Sequence, residues 1–353
     1  MERAQPLELF GHTILPGTRQ RLNIPVVKLY TDTPIDLRME VIHGRRKGPC
    51  LLVTAAIHGD ELNGVEICRQ ILGHKNLSKI YGTLIVIPVV NQLGFIQQIR
   101  YLPDRRDLNR CFPGSSKGSL GGRLANLITT GIFPHVDYAL DLHTGAIHRT
   151  NLPQLRTDLT NEKCVGLARA FGAPVILHSS LRDGSFRGAA NEYNIPALVY
   201  EAGEALRLEQ ASIKLGLKGV MRVMRHLNML PKKPVKTPAI QPWECNQSQW
   251  LRSSRDGLVL LHIKQGHLVK EGETMMTIVN PFDATDSESI TAPFDGVVIG
   301  LSQLPLANEG DALVHLAKVS STLADTEYDQ EVIEEVLDLG IAQLPVPENQ
   351  EYQ

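Results

Sequence analysis

Over its first 230 positions the chain alternates between two hydrophobic patterns. Short, nearly unbroken apolar runs stand at residues 51–57 (LLVTAAI), 83–90 (TLIVIPVV), 138–142, 174–177 and 197–200. Runs of this kind predict strands covered on both faces. Between them lie stretches whose apolar residues recur every three or four positions, at 65–72, 120–132, 161–171 and 211–227, and these predict helices with one buried face. Strands alternating with helices predict an α/β fold with a mostly parallel sheet. Ahead of it, the runs at 22–29 and 37–42 follow a Pro16–Gly17 turn signal and read as an antiparallel preamble. The proline- and lysine-rich segment 231–242 reads as a linker. Beyond it the pattern changes to short strands with glycine turns at 257–263, 269–273, 274–279, 289–291, 296–300 and 314–319, a small all-β module. The expected organisation is a domain over 1–230, the linker, a module over 243–322 and an acidic tail over 323–353, with a helix at 331–339.

Polar residues enter this pattern at the ends of the strands. The first run stops at His58, and Glu61 follows three residues later. The 138–142 run leads through Asp141 to His143, and the 197–200 run leads to Glu201. Ligands of parallel sheets bind beyond the carboxyl ends of the strands. Two histidines and a carboxylate there match a catalytic zinc site, which commonly takes three protein ligands at ~2.0–2.2 Å and leaves one position open. His58, Glu61 and His143 are therefore the candidate ligands for one Zn²⁺ per chain, with Asp141 able to orient an imidazole. Glu201 is the candidate general base for a metal-activated water, with Glu204 a competitor further beyond the strand. The polar stretch 97–114 holds Arg100, Arg105, Arg106 and Asp107-Leu108-Asn109-Arg110. An arginine fork with a neighbouring amide suits a substrate carboxylate, and a further arginine could stabilise an oxyanion. Arg187, in Gly184-Ser185-Phe186-Arg187-Gly188, is a second anion contact. Each has a plainer reading: a hydrogen-bonded strand-end histidine, a structural salt bridge, a solvated basic loop. The convergence of three strand ends favours chemistry.

Composition narrows the setting. At 353 residues the chain is long for one domain. The formal net charge of −2 supplies no basic field for nucleic acid or an anionic membrane. No apolar stretch approaches the ~20 residues of a membrane span, and the first residues carry no basic-then-apolar leader pattern. Five scattered cysteines, with no C-x-x-C pair, read as reduced thiols of a cytoplasmic protein. Nucleotide-loop, H-E-x-x-H and G-x-S-x-G motifs are absent.

Taken in order, HGDELNG, RYLPDRRDLNRCFPG, DLHTG and ALVYEAGE resemble the succinylglutamate desuccinylase/aspartoacylase family, the deacylase branch of the zinc carboxypeptidases. The resemblance runs from about residue 45 to residue 320. It implies a zinc-carboxypeptidase-like fold with a smaller C-terminal β module, zinc on His58, Glu61 and His143, and Glu201 promoting attack by water. It also implies Asn109 and Arg110 on the substrate α-carboxylate and Arg100 on the scissile carbonyl, with Arg105 or Arg106 as alternatives. The β module resembles a biotinyl/lipoyl-like half-barrel. Its 283–289 segment, where a carrier would present lysine, has none, so a structural or pocket-gating role is expected. The expected activity is hydrolysis of a small N-acyl amino acid. A metallocarboxypeptidase acting on short peptides and a non-catalytic metal-bearing binding protein are the rivals. No nucleic-acid or membrane partner is expected, and self-association into a homo-oligomer stays open.

Overall fold

The computed structural model describes residues 2–231 and 242–319. Strands β1 (Thr18–Lys28) and β2 (Pro34–His43) pair antiparallel and lead into β3 (Arg46–Ala55). Then follow α1 (Asn63–Leu72), β4 (Tyr81–Ile87), α2 (Leu120–Gly131), β5 (Tyr138–Gly145), β6 (Arg149–Thr157), α3 (Glu162–Phe171), β7 (Val175–His178), β8 (Ala197–Glu204) and α4 (Gln210–His226). The spatial order is β6-β8-β5-β3-β4-β2-β1. Its four central strands, β8, β5, β3 and β4, are parallel. Antiparallel β2 and β6 flank them.

The unbroken apolar runs have a simple cause. Successive residues of a strand point to opposite faces, and here both faces are covered. Leu51, Val53, Leu84 and Leu140 pack with α1, α3 and α4 on one face. Leu52, Ile85, Ala139 and Ala197 pack with α2 and the short helix Phe186–Glu192 on the other. The helix at 161–171 starts one residue late because Asn161 caps it, its side chain accepting from the Lys163 and Cys164 amides. No helix among the described residues is long and apolar enough to cross a membrane.

Two differences from expectation bear on the site. Strands β5 and β8 run on through His143 to Gly145 and through Glu201 to Glu204, so both side chains stand on strands and not just past them. Strand β6 was not expected. It carries Pro153, Asn151, Gln154 and Arg156, and its pairing with β8 shifts register between Glu201 and Gly203, which accommodates the proline.

The last third of the chain supplies β9 (Trp243–Cys245), β10 (Ser248–Arg252), β11 (Gly257–Leu261), β12 (Thr274–Asn280), β13 (Asp283–Thr291), β14 (Gly296–Ser302) and β15 (Ala312–Lys318). Strands β11, β12 and β13 form an antiparallel sheet. Strand β14 pairs with β6, and β15 and β10 continue outward, so the main sheet runs without a break into this part of the chain. The lysine-free 283–289 segment lies within β13, and the turn from β12 presents Pro281 and an exposed Phe282. The linker expected over 231–242, its two end residues apart, and the acidic tail with its 331–339 helix lie outside the described residues.

Candidate metal and substrate site

The His58–Glu61 segment is held in place before any side chain is considered. After β3, buried Ala56 takes a positive φ of 50°, uncommon for a residue with a Cβ. The Val90 and Asn91 amides donate to the Ala55 and Ala56 carbonyls at 3.0 and 2.9 Å. Gly59 faces backbone: a Cβ there would fall 2.0 Å from the Gly94 carbonyl carbon and 2.2 Å from the Phe95 nitrogen. Since backbone cannot step aside as a side-chain tip can, Gly59→Ala is expected to cost about 3 kcal/mol of stability, read as a lowered urea midpoint. At the start of α1, Asn63 donates to the Ala202 carbonyl and accepts from the Glu209 amide, tying this loop to the end of β8.

The candidate ligands converge. His58 Nδ1 lies 2.7 Å from Glu61 Oε1, and His143 Nδ1 lies 2.8 Å from Glu61 Oε2. All three side chains are buried, and their candidate ligand atoms lie within 4.8 Å of one another. The distal nitrogens are also engaged: His58 Nε2 is 3.0 Å from Asp107 Oδ1, and His143 Nε2 is 2.7 Å from Asp141 Oδ2. Thr54 Oγ1 donates to Asp141 Oδ1 at 2.8 Å, and the Thr144 amide donates to Glu61 Oε2 at 3.2 Å. A carboxylate behind each imidazole fixes the ring and leaves both Nδ1 atoms facing inward, as metal sites require. The donor set therefore fits a divalent ion.

Electrostatics agree with the geometry. Burial pushes the Glu61 carboxyl up, but the two imidazoles prevail and hold it well below the ordinary carboxylate range. Burial pulls His143 down, yet Asp141 and Glu61 hold it well above the ordinary imidazole value. His58 is raised in the same way between Glu61 and Asp107. The imidazole protons stand where a divalent ion would take over as partner of the carboxylates.

Of the three loop arginines, Arg100 reaches the cluster. Its Nη1 is 3.3 Å from Glu61 Oε1 and its Nη2 is 2.9 Å from Asp107 Oδ2. Arg105 is exposed, and Arg106 is exposed with Asp104 3.9 Å away. Asn109 Oδ1 accepts from the Phe186 amide at 2.8 Å, which leaves its amide nitrogen to donate elsewhere. Arg110 is exposed and bonds the Asn109 carbonyl through Nη1. Arg187 is buried, its Nη2 on Ser179 Oγ and the Ser180 carbonyl, both at 2.9 Å.

Glu201 pairs in register with His143 across the parallel β8–β5 ladder, so the two side chains share a face of the sheet. Asn151 Nδ2 donates to Glu201 Oε2 at 2.9 Å, and Arg156 Nε lies 3.8 Å from Oε1. Glu204 instead accepts from the His148 amide at 3.0 Å. Asp107, Asn151 and Arg156 were not singled out for these positions from sequence. Asp107 stood within the DLNR motif, but its contact with His58 spans 49 positions.

Comparison with known proteins gives one family. Residues 47–227 match the succinylglutamate desuccinylase/aspartoacylase catalytic domain. An N-alpha-acetyl-L-2,4-diaminobutyric acid deacetylase of Halomonas elongata is 24% identical over 293 residues, covering 79% of this chain and 85% of its own. Among solved structures, a succinylglutamate desuccinylase/aspartoacylase from Rhodobacter sphaeroides superposes with a TM-score of 0.76 at 23% identity, covering 85% of this chain and 96% of that one. The product-bound ectoine utilization protein EutE from Ruegeria pomeroyi gives a TM-score of 0.75 at 22% identity, covering 85% and 95%.

Proposed function

The chain belongs to the succinylglutamate desuccinylase/aspartoacylase family, and from that premise we propose that it is a zinc-dependent amidohydrolase that releases the amino acid from a small N-acyl amino acid. The observation that carries this reading is the placement of Glu201 beside His143 on the face where His58, Glu61 and His143 converge. The deacetylase relative supports an N-acyl amino acid as the substrate class.

His58 and His143 through Nδ1, with Glu61, would hold one zinc per chain. When bound, such an ion lowers the pKa of water and polarises a carbonyl. Arg110, with the amide nitrogen of Asn109, anchors the substrate α-carboxylate, and Arg187, on the helix Phe186–Glu192 whose first amide binds Asn109, offers a second anion contact. Glu201 accepts a proton from the attacking water as its oxygen bonds to the acyl carbon. Arg100 faces the oxygen that gains negative charge. When the C–N bond breaks, Glu201 passes the proton to the amine, so a carboxylic acid and a free amino acid leave. Asn151 and Arg156 hold Glu201 in line for both transfers.

Arg110→Ala is expected to raise KM about 10- to 100-fold with kcat changed far less, because a bidentate charged contact made equally to substrate and transition state is lost. Initial rates over a substrate series check this. The reading as a whole is tested by metal analysis together with turnover of a panel: Nα-acetyl-2,4-diaminobutyrate, N-succinylglutamate, N-acylaspartates and short peptides. Zinc near one per chain with turnover of an N-acyl amino acid is the expected result. Turnover of peptides alone would replace it with a carboxypeptidase. Zinc without turnover of any member would leave a binding protein.

A further inference from the structure

At the opposite edge of the sheet from Glu201, the starts of β3 and β4, the end of α1 and the turn before β1 enclose a groove of about 820 Å³. The length of β3 separates the two places, roughly 30 Å. The groove is lined by Arg19, Arg45, Arg46, Lys75 and Lys79, and no Asp or Glu is among the described residues that line it. That is a strong segregation in a chain with 36 Lys and Arg against 38 Asp and Glu.

Nearby acid accounts for Arg19, which pairs with Glu40. Among the described residues no carboxylate forms an ion pair with Arg45, Lys75 or Lys79. Arg46 lies over the Tyr81 ring, 5.4 Å from its centroid, and Nη1 donates to the Tyr81 hydroxyl at 3.2 Å, which fixes one cation on the wall. Arg45 packs against Gly17, where an added Cβ would fall 2.7 Å from its Cγ. These cations come from three segments, at Arg19, at Arg45–Arg46 and at Lys75 with Lys79, so the fold and not one basic run gathers them. Like charges gathered around one groove repel, the more so at low salt. Their repulsion is relieved by an anion with several charged oxygens, and guanidinium forks beside ammonium groups suit phosphate in particular.

We propose that this groove is a second binding site, remote from the metal cluster, for a small molecule that carries two or more phosphate groups. The same cations would also attract a polycarboxylate, so the test has two arms. Sodium tripolyphosphate and citrate are titrated calorimetrically into the full-length chain at low and physiological salt. The expected result is one tripolyphosphate site per chain, bound more tightly than citrate and weakened by salt. The double substitution Arg45→Glu/Lys75→Glu is expected to weaken it at least 10-fold, with Arg45→Gln/Lys75→Gln intermediate and Arg110→Ala without effect. Absence of tripolyphosphate binding would overturn the proposal. So would binding that is lost in Arg110→Ala but kept in the groove variants, since the anion would then sit at the metal-cluster edge. Citrate bound as tightly as tripolyphosphate would overturn the phosphate assignment.

Discussion

Glu201→Gln is expected to lower kcat about 1,000-fold while leaving zinc content and fold unchanged. The amide is isosteric and still accepts the Asn151 hydrogen bond, but it has no basic oxygen for a water proton. General acid–base catalysis contributes roughly 10²- to 10⁴-fold, and here one carboxylate is assigned both proton transfers. The Glu201 carboxylate lies 3.8 Å from Arg156 Nε and on the same sheet face as His143, so the loss should fall on kcat and not on metal binding. Single-turnover rates with metal analysis of the same sample check it. A variant turning over near the wild-type rate would move the proton transfers to another group.

Glu61→Gln is expected to remove the metal itself. Glu61 is the hub of the cluster: one oxygen meets His58, the other His143, and Arg100 and the Thr144 amide also contact it. Replacing the carboxylate withdraws the negative charge that a divalent ion needs and leaves Asp107 as the one carboxylate paired with Arg100 among the described residues. Zinc retained after dialysis should fall below a tenth of an equivalent, and turnover should vanish with it. Asp107→Asn supplies the scale, since loss of a carboxylate behind a ligand imidazole typically costs 10- to 100-fold in metal affinity. Zinc retained in full by Glu61→Gln would mean that the ion sits elsewhere.

The readable part of this fold is the part whose side chains obey one rule. The central strands sit between two helical layers, so both faces must be apolar, and their sequences announce it. His58, Glu61, His143 and Glu201 stand out because they interrupt that rule at strand ends. Strand β6 keeps the rule only at Leu152 and Leu155: Asn151, Gln154 and Arg156 share its inward face with the site, and Pro153 interrupts the ladder. Local pattern therefore does not mark it as a strand. Asp107 is hidden for another reason. Its partner is decided by the path of the segment 88–119, mostly irregular apart from the short helix Gln92–Gln97 and the turn Leu108–Arg110, and no periodicity encodes that path. Arg100 stands apart from Arg105 and Arg106 only once the loop folds, since charge and type are shared by all three.

The join between β6 and β14 sets how the chain can be divided. Gly300 lies opposite Asn151, and a Cβ there would fall 3.1 Å from Asn151 Oδ1, the side chain whose nitrogen holds Glu201. Gln154 donates to the Ile299 carbonyl on the same seam. Cutting the chain before β9 would strip this seam, leave the 149–151 end of β6 as a raw edge able to pair with another molecule while β7 still covers 154–157, and loosen Glu201 while leaving the His58–Glu61 segment intact. The last third of the chain behaves as a splint on Glu201, and the shortest active fragment should extend through β15.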